Sequence, residues 1–221
     1  MISKKLIVID GLDGSGKSTQ FSIVAKKLAS DYMVKSISFP DYDNPSSSLV
    51  KMYLNGEFSK QASGVNAYAA SSFYAVDRYA SYKMFWEKNY NEGELIIASR
   101  YVSSNAIHQM IKLENSQWDY YLNWLDDYEY NKLGLPKPDL IIFLDMPVEI
   151  SQELLSSRYN GDDSKKDIHE SDVEYLKNCR KSALYAAEKQ SWKVVACSDG
   201  RGALPIDIIT DRIIKCINEV L

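Results

Sequence analysis

The sequence predicts an α/β fold with a mostly parallel, doubly wound sheet, and two observations carry this prediction. Several short apolar runs, of which 34–39 is the weaker, are unbroken instead of alternating, which is typical of parallel strands buried on both faces. Longer segments with helical spacing of apolar residues separate these runs, and strands that alternate with helices build a layered α/β/α domain. The predicted strands are 6–9, 34–39, 95–98, 140–144 and 192–197.

The segments between the strands predict helices and one exposed loop. Helical periodicity extends over 18–29, 66–90, 117–133, 147–158, 171–189 and 206–221, and the sequence PSSS at 45–48 predicts a turn and a helix start. The polar stretch YNGDDSKKDIHE offers no core positions. It predicts a mobile lid loop at approximately 158–170. No linker divides the chain, and 221 residues suit one well-buried domain, 1–221.

Composition excludes several classes of protein. The net charge is −4 and no basic stripe is present, so duplex nucleic acid is not the expected partner. No stretch approaches the ~20 apolar residues of a membrane span, and the apolar run near the N-terminus is too short for a signal peptide. Three widely spaced cysteines indicate reduced thiols. We therefore expect a cytoplasmic protein that binds small molecules.

The first strand leads directly into GLDGSGKST, which matches the G-x-x-x-x-G-K-[ST] pattern of the P-loop NTPase fold. Glycines let the backbone curl so that its N–H groups point at phosphate oxygens, and the following helix adds its positive N-terminal end. In this pattern the lysine reaches the β- and γ-phosphates, and the next hydroxyl binds Mg²⁺. The predicted ATP-binding residues are Gly11, Asp13, Gly14, Ser15, Gly16, Lys17, Ser18 and Thr19, with Ser18 as the metal ligand.

Residues that suit a second nucleotide follow the other strands. Phe39-Pro40 and Tyr42 come after the second strand, and Arg100 comes after the third. The carboxyl ends of parallel strands meet at one edge of the sheet, where ligands bind. An arginine can hold a phosphate through two hydrogen bonds, and aromatic rings can stack on a base. The pattern therefore indicates an acceptor nucleotide opposite ATP.

Several segments in this order resemble the thymidylate kinase family over nearly all of the chain. They are the phosphate loop, the Phe-Pro pair, FYAVDR in the long helix, SRYVSSNAIHQ at 99–109 and LPKPDLIIFLDMPVE at 135–149. The resemblance implies an ATP- and Mg²⁺-dependent kinase that phosphorylates dTMP to dTDP in deoxynucleotide synthesis. It also implies a homodimer, for which the aromatic helices could supply the interface.

The resemblance also implies roles for individual residues. Arg100 would bind the acceptor phosphate, Arg78 a thymine carbonyl, and Asn105 or Ser104 the base edge at N3. Tyr74 would stack on the base, with Phe73 as the alternative ring. The remaining contacts predicted for the acceptor are Asp13 near the sugar and phosphate, the wall residues Phe39, Pro40 and Tyr42, and His108 facing the sugar. The Phe39–Pro40 bond is expected to be cis.

The sequence departs from the family pattern at Ser99, where an aspartate is usual, at Tyr42, near a usual arginine, and at His108, a usual tyrosine. Because Gly14 stands where some members carry arginine, the catalytic cations are expected in the lid. The catalytic candidates are Lys17, Arg100, Arg158, Lys165 and Lys166. Arg201, in the loop after the last strand, is a candidate for holding adenine.

The residues leave two alternatives open. A deoxynucleoside kinase, or a kinase for another monophosphate, would share this framework, and a nucleoside kinase needs a base to activate a sugar hydroxyl. Asp41 is the carboxylate after the second strand that could serve. The other alternative is a P-loop protein that binds nucleotide with little turnover, which Ser99 favours. The residues of the expected acceptor pocket argue against it, because a nucleotide switch needs no second nucleotide site.

Overall fold

The computed structural model describes residues 4–59, 61, 64–158 and 173–221. Its sheet contains β1 (Lys5–Gly11), β2 (Val34–Ser38), β3 (Leu95–Ser99), β4 (Leu140–Asp145) and β5 (Lys193–Ala196). The strand order is β2-β3-β1-β4-β5, and every neighbouring pair is parallel. The predicted parallel α/β sheet is therefore confirmed, with each strand within a few residues of its predicted place.

Helices flank the sheet and largely follow the predicted pattern. They are α1 (Lys17–Leu28), α2 (Ser48–Leu54), α3 (Ala67–Ser81), α4 (Glu87–Asn91), α5 (Ser103–His108), α6 (Trp118–Leu125), α7 (Val148–Arg158), α8 (Val173–Gln190) and α9 (Ile206–Asn218). A π turn at Tyr82–Trp86 joins α3 to α4, and a second one, Asp126–Lys132, extends α6. The short helix α5 was not predicted. In the described part of the chain no helix is both long and apolar enough to cross a bilayer.

Two apolar cores, one on each face of the sheet, hold the layers together. Alternate residues of β1 serve the two faces, because successive side chains of a strand point in opposite directions. Leu6 and Val8 join one core, and Ile7 and Ile9 join the other. All four are fully buried. This double burial explains why the strand reads as an unbroken apolar run.

The sheet brings the sequence motifs together at one edge. Because β1, β2 and β3 are parallel, the phosphate loop, the Phe39-Pro40 pair and Arg100 all emerge at their carboxyl ends. The amide N–H of Phe39 donates to the carbonyl of Ser99 (3.0 Å), and that of Arg100 donates to the carbonyl of Ile9 (3.1 Å). The Phe39–Pro40 peptide bond is cis. The three segments are thus tied to one another by backbone hydrogen bonds.

Candidate active site

The phosphate loop curls between β1 and α1. Gly14 and Gly16 have φ of 75° and 80°, a region that glycine reaches without the strain other residues incur. Gly16 is the N-cap of α1, so the helix begins at Lys17. A helix start carries N–H groups without intrahelical partners and the positive end of the helix dipole. The loop therefore presents a concave, electropositive surface to an anion.

Gly14 lies against α7, which closes this position to a larger residue. A Cβ built on Gly14 would approach the backbone carbonyl oxygen of Ser151 to 2.7 Å. No ordinary side chain contact is that short, and the positive φ adds strain. Some members of the family are expected to carry an arginine at this position. An arginine does not fit this arrangement of loop and helix. Any further catalytic cation must come from outside the loop.

The polar side chains of the loop fit a nucleotide phosphate with a hard cation. Lys17 is buried at the helix start, and Ser18 and Thr19 are exposed beside it. The hydroxyl of Ser15 is buried and, among the described residues, has no hydrogen-bond partner. The described residues contain no group of three His, Cys, Asp or Glu side chains that could hold a metal alone. Mg²⁺ is commonly held by few protein ligands together with substrate phosphates and water, so Ser18 suits it.

Arg100 follows β3 and lies between the loop and the neighbouring cavity. Its Nη2 donates to Asp13 Oδ1 at 2.7 Å, and its Nη1 lies 2.9 Å from His108 Nε2 and 4.0 Å from Asp10 Oδ1. Burial acts to lower the pKa of Arg100, but the carboxylates of Asp13 and Asp10 outweigh it, so the pKa is raised. The backbone has φ 65°, a left-handed conformation that costs roughly 1–3 kcal/mol in a residue other than glycine. The site thus holds a permanent cation in a strained position.

A cavity of about 290 Å³ opens beside Arg100. It contains every residue that the sequence predicted to bind the acceptor, except Phe73. The predicted residues that line it are Asp13, Phe39, Pro40, Tyr42, Tyr74, Arg78, Arg100, Ser104, Asn105 and His108. Five further residues that were not predicted also line it, namely Tyr53, Leu54, Tyr101, Gln109 and Tyr175. The cavity combines aromatic walls with two guanidinium groups, a chemistry that suits a nucleotide.

The structure distinguishes the two aromatic rings that the sequence offered for stacking. Tyr74 lines the cavity, and burial raises its pKa, so its hydroxyl stays neutral. Phe73 packs instead against Phe58, with ring centroids 5.2 Å apart, and against Tyr53 at 6.2 Å. Neighbouring residues of a helix differ in direction by about 100°, so only one of them can face the cavity.

Arg78 is held by a carboxylate that the sequence analysis did not identify. Its Nε donates to Glu129 Oε2 (2.7 Å) and its Nη2 to Glu129 Oε1 (2.6 Å), and both side chains are almost completely buried. Burial acts to lower the pKa of Arg78, but Glu129 outweighs it and the pKa is raised. Arg78 is therefore neither solvated nor paired with the adjacent Asp77. Glu129 lies on the π turn after α6, which brings a residue 51 positions away to Arg78.

Two amide side chains complete this wall. Asn105 Nδ2 donates to Glu129 Oε1 (3.0 Å) and to the carbonyl of Ser71 (3.3 Å), so Asn105 offers the cavity its carbonyl oxygen. Gln109 is also buried in the cavity, and its Oε1 has no hydrogen-bond partner among the described residues. Gln109 was missed, although it lies one helical turn after Asn105, which places both on one face. The accessible acceptor of Asn105 suits a ligand that carries an N–H donor, whereas Gln109 Oε1 is buried behind the cavity wall.

Asp10 is a buried carboxylate that was not predicted as a site residue, and it lies next to both Ser104 and Ser99. Asp10 Oδ2 accepts from the hydroxyls of Ser103 and Ser104, both at 2.7 Å, and its Oδ1 accepts from the Gly11 N–H at 2.8 Å. Ser104 is thereby occupied, which leaves Asn105 as the better placed of the two predicted base contacts. Asp10 is one residue beyond Ile9, the β1 partner of Ser99. This edge therefore carries a carboxylate although Ser99 is not one.

The loop after β2 is anchored by Asp77. The Asp41 N–H donates to Asp77 Oδ2 (2.9 Å), and the Ser46 hydroxyl donates to Asp77 Oδ1 (2.6 Å). The carboxylate of Asp41 accepts from Asn44 Nδ2 at 2.8 Å and does not line the cavity. Asp41 is thus engaged within its own loop.

Arg201 and the lid candidates are the remaining predicted residues. Arg201 is exposed in the loop after β5, where its N–H donates to Asp199 Oδ1 at 2.9 Å. Arg158 is the last residue of α7. Lys165 and Lys166, with most of the predicted lid, lie outside the described residues, so their roles stay predictions.

Comparisons with known proteins identify the family of this chain. A sequence model of the thymidylate kinase family matches residues 9–204. The thymidylate kinase of Mycobacterium tuberculosis is 30% identical over 85% of this chain and 87% of its own length. A probable thymidylate kinase of Pyrobaculum aerophilum is 28% identical over 87% of this chain and 88% of its own length.

A solved structure that is similar to this chain is also a thymidylate kinase. The thymidylate kinase of Candida albicans superposes with a TM-score of 0.70 at 26% identity, over 98% of this chain and 92% of that one. The family model covers most of the chain, including the phosphate loop, Arg100 and the cavity. The chain therefore belongs to the thymidylate kinase family, whose members are phosphotransferases that act on nucleotides.

Proposed function

We propose that this protein transfers the γ-phosphoryl group of ATP to the phosphate of dTMP, which yields ADP and dTDP. One observation carries the proposal. The Arg100 guanidinium joins the phosphate loop, through Asp13, to a cavity with the shape and polar groups for a second nucleotide. A group at this boundary can neutralise charge on the phosphoryl group as it passes between the two nucleotides. Family membership supplies the reaction class.

The loop residues bind the donor. Backbone N–H groups of 11–19 and the Lys17 ammonium hold the ATP phosphates, and the Ser18 hydroxyl is a ligand for Mg²⁺, which supplies charge neutralisation when bound. No general base is required, because the acceptor phosphate is already ionised. Positioning and electrostatics supply the rate. Because Gly14 excludes an arginine, we assign the additional cations to the lid at about 158–170, with Arg158, Lys165 and Lys166 as candidates.

The cavity recognises the acceptor. Tyr74 stacks on the base and Arg78 donates to a thymine carbonyl. The carbonyl oxygen of Asn105 suits the N3–H of thymine, which cytosine lacks. Phe39, Pro40 and Tyr42 wall the pocket, and His108 and Asp13 lie toward the sugar and phosphate. A site of buried acceptors discriminates against a ligand without the matching donor, because the acceptors are then left unpaired.

The alternatives are weaker on the same geometry. A nucleoside kinase needs a base at the acceptor hydroxyl, but Asp41 is bound to Asn44 and does not line the cavity. A nucleotide switch has no use for a second nucleotide pocket. Ser99 is the residue that favoured a nucleotide switch, and it lies beside the buried carboxylate of Asp10.

Family membership supports a homodimer, and exposed apolar residues near one another in sequence are candidates for its interface. Val76, Tyr79, Met84 and Phe85, on α3 and the π turn that follows it, are between 39% and 68% exposed. Exposed apolar residues that form one patch mark a contact surface. A cytoplasmic location fits the cysteines, because none of the three forms a disulfide.

The test offers the purified protein ATP and Mg²⁺ with dTMP, dUMP, dCMP, dGMP, UMP or thymidine, and follows ADP release. We expect dTMP to be turned over fastest, and Arg100→Ala to reduce that turnover by at least ~100-fold. Arg212→Ala is the matched control, since Arg212 is an exposed arginine of α9 that donates to the carbonyl of Ala196. Preference for thymidine, or no turnover with any acceptor, would overturn the proposal.

A further inference from the structure

His108 contacts the guanidinium of Arg100 in a way that restricts its own protonation. Its Nε2 lies 2.9 Å from Arg100 Nη1, which is a hydrogen-bonding distance. An arginine side chain has five N–H donors and no acceptor. The hydrogen bond therefore exists only if Nε2 accepts, and Nε2 accepts only when it carries no proton. A neutral imidazole with a bare Nε2 must carry its proton on Nδ1.

The other side of the ring fits this tautomer. Nδ1 faces Tyr175 Oη at 3.3 Å and Cys179 Sγ at 3.6 Å, and both of these atoms can accept. The rings of His108 and Tyr175 stack, with 20° between their planes. Both partners lie on α8, so α8 holds one edge of the imidazole while Arg100 holds the other. Burial raises the pKa of Tyr175, so its hydroxyl stays neutral.

Resting on the proposed function, we propose that neutral His108, in its Nδ1–H tautomer, is a positioning residue that fixes the Arg100 guanidinium for the acceptor phosphate. Asp13 accepts from Nη2 and His108 accepts from Nη1, so the two grip adjacent corners of the planar group. These contacts occupy two of its five donors and leave others for phosphate oxygens. A guanidinium fixed at both corners loses less freedom when the phosphate binds.

The contact between His108 and Arg100 should depend on pH, because an imidazolium cannot accept from Arg100 and would repel it. The titratable or charged groups around His108 in the described structure are Arg100, Tyr175 and Cys179, with Asp10 and Asp13 beyond the guanidinium. Tyr53 and Tyr74 line the same cavity. Imidazole alone among these types ordinarily changes charge between pH 5 and 8. Protonation of His108 should therefore release Arg100 and lower activity on the acid side.

Nitrogen NMR of the ligand-free, full-length protein tests the tautomer directly. The chain has only two histidines, so spectra of ¹⁵N-labelled wild type and of His169→Gln assign the His108 ring without ambiguity. We expect a protonated Nδ1 and a bare Nε2 at pH 8. A proton on Nε2 would overturn the proposal. Because no substrate is present, this result stands even if the protein does not phosphorylate dTMP, which would be the failure of the proposed function alone.

Kinetics tests the positioning role. Phenylalanine at 108 keeps a ring without an acceptor, and His108→Phe should lower kcat/KM for dTMP roughly 10- to 100-fold, as expected for loss of a hydrogen bond to a charged group. His108→Gln supplies an amide oxygen that accepts but does not titrate. It should recover most of this loss, and its activity should fall less on the acid side than that of the wild type, because only the ionisation of the substrate phosphates, with a pKa of about 6, then contributes. Equal losses in both variants, or the same acid-side fall in wild type and His108→Gln, would overturn the proposal.

Discussion

Replacement of Glu129 by glutamine should destabilise the protein strongly, although the two side chains have nearly the same shape. Glu129 Oε1 accepts from Arg78 Nη2 and Asn105 Nδ2, and Oε2 accepts from Arg78 Nε. In Glu129→Gln one of these oxygens becomes an NH₂ group. Whichever oxygen is replaced, a donor then faces a donor. The substitution also leaves the guanidinium buried without a countercharge.

The magnitude follows from the burial of the pair, whose side chains are 2% and 0% exposed. Removing one partner of a buried ion pair typically costs about 3–5 kcal/mol. With a urea dependence of about 2 kcal/mol per molar, the unfolding midpoint should fall by roughly 1.5–2.5 M. Binding of dTMP should weaken as well, since Arg78 and Asn105 both lose their shared anchor.

Urea unfolding and calorimetric titration with dTMP measure the two effects. The matched control is Glu92→Gln, which removes the same charge from an exposed pair with Lys88, where the charged atoms are 3.8 Å apart and the side chains 84% and 58% exposed. Exposed pairs contribute about 0–1 kcal/mol, so the control midpoint should barely move. Equal shifts for the two variants would refute the reasoning from burial.

Three further predictions concern the phosphate loop, a half-buried lysine and the dimer. Gly14→Ala should weaken ATP binding about 10-fold in calorimetry, because its Cβ would meet the Ser151 carbonyl oxygen at 2.7 Å with φ at 75°; unchanged affinity would contradict this account of the loop. Burial lowers the pKa of Lys112 from 10.5 to about 8. Below pH 8 the buried charge therefore destabilises the folded state, and this destabilisation is lost as the pH rises and the folded protein releases the proton. Between pH 8 and 9.5 the unfolding free energy of the wild type should therefore rise relative to Lys112→Gln, by about 1 kcal/mol once solvent screening is allowed for, and parallel pH profiles would exclude the effect. Tyr79→Glu should yield monomers in light scattering, whereas Lys26→Glu on α1 should not; a Tyr79→Glu variant that keeps the oligomeric state of the wild type would place the interface elsewhere.

The fold was accessible from the sequence because its main signals are local. A strand buried on both faces is apolar at nearly every position, so the three central strands β1, β3 and β4 appear as unbroken apolar runs. The edge strands β2 and β5 are largely exposed and contain polar residues, so their signal in the sequence is weaker. The phosphate loop is nine consecutive residues, 11–19, and its conformation depends on glycines within it. Family resemblance then added residue roles at 39–42, 73–78 and 99–109.

The candidate site was predictable only where its residues follow a strand or lie in such a motif. Arg100 could be located because the carboxyl ends of parallel strands share one edge. Tyr53 lies on α2 and Tyr175 lies on α8, and neither segment contains a motif. No local pattern therefore marks these two tyrosines as cavity residues. Gln109 is the exception, since its spacing from Asn105 on one helical face was a usable signal.

Choices among neighbours on a helix also required the structure. Spacing alone allowed Phe73 or Tyr74 to face the acceptor, since which of two adjacent side chains points inward depends on the rotation of the whole helix. The packing of α3 against α2 sets that rotation. As a result Tyr74 lines the cavity and Phe73 packs against Phe58.

The parallel sheet, the phosphate loop and the family can be read from the chain alone, because apolar runs and contiguous motifs are properties of short segments. Which charges pair depends instead on how the folded chain packs. Arg78 takes Glu129, 51 residues away, and leaves the adjacent Asp77 to anchor the loop after β2. Arg100 lies between Asp13 and His108. Any carboxylate in a chain can in principle neutralise an arginine, and the partner is selected by which one the packing buries at hydrogen-bonding distance.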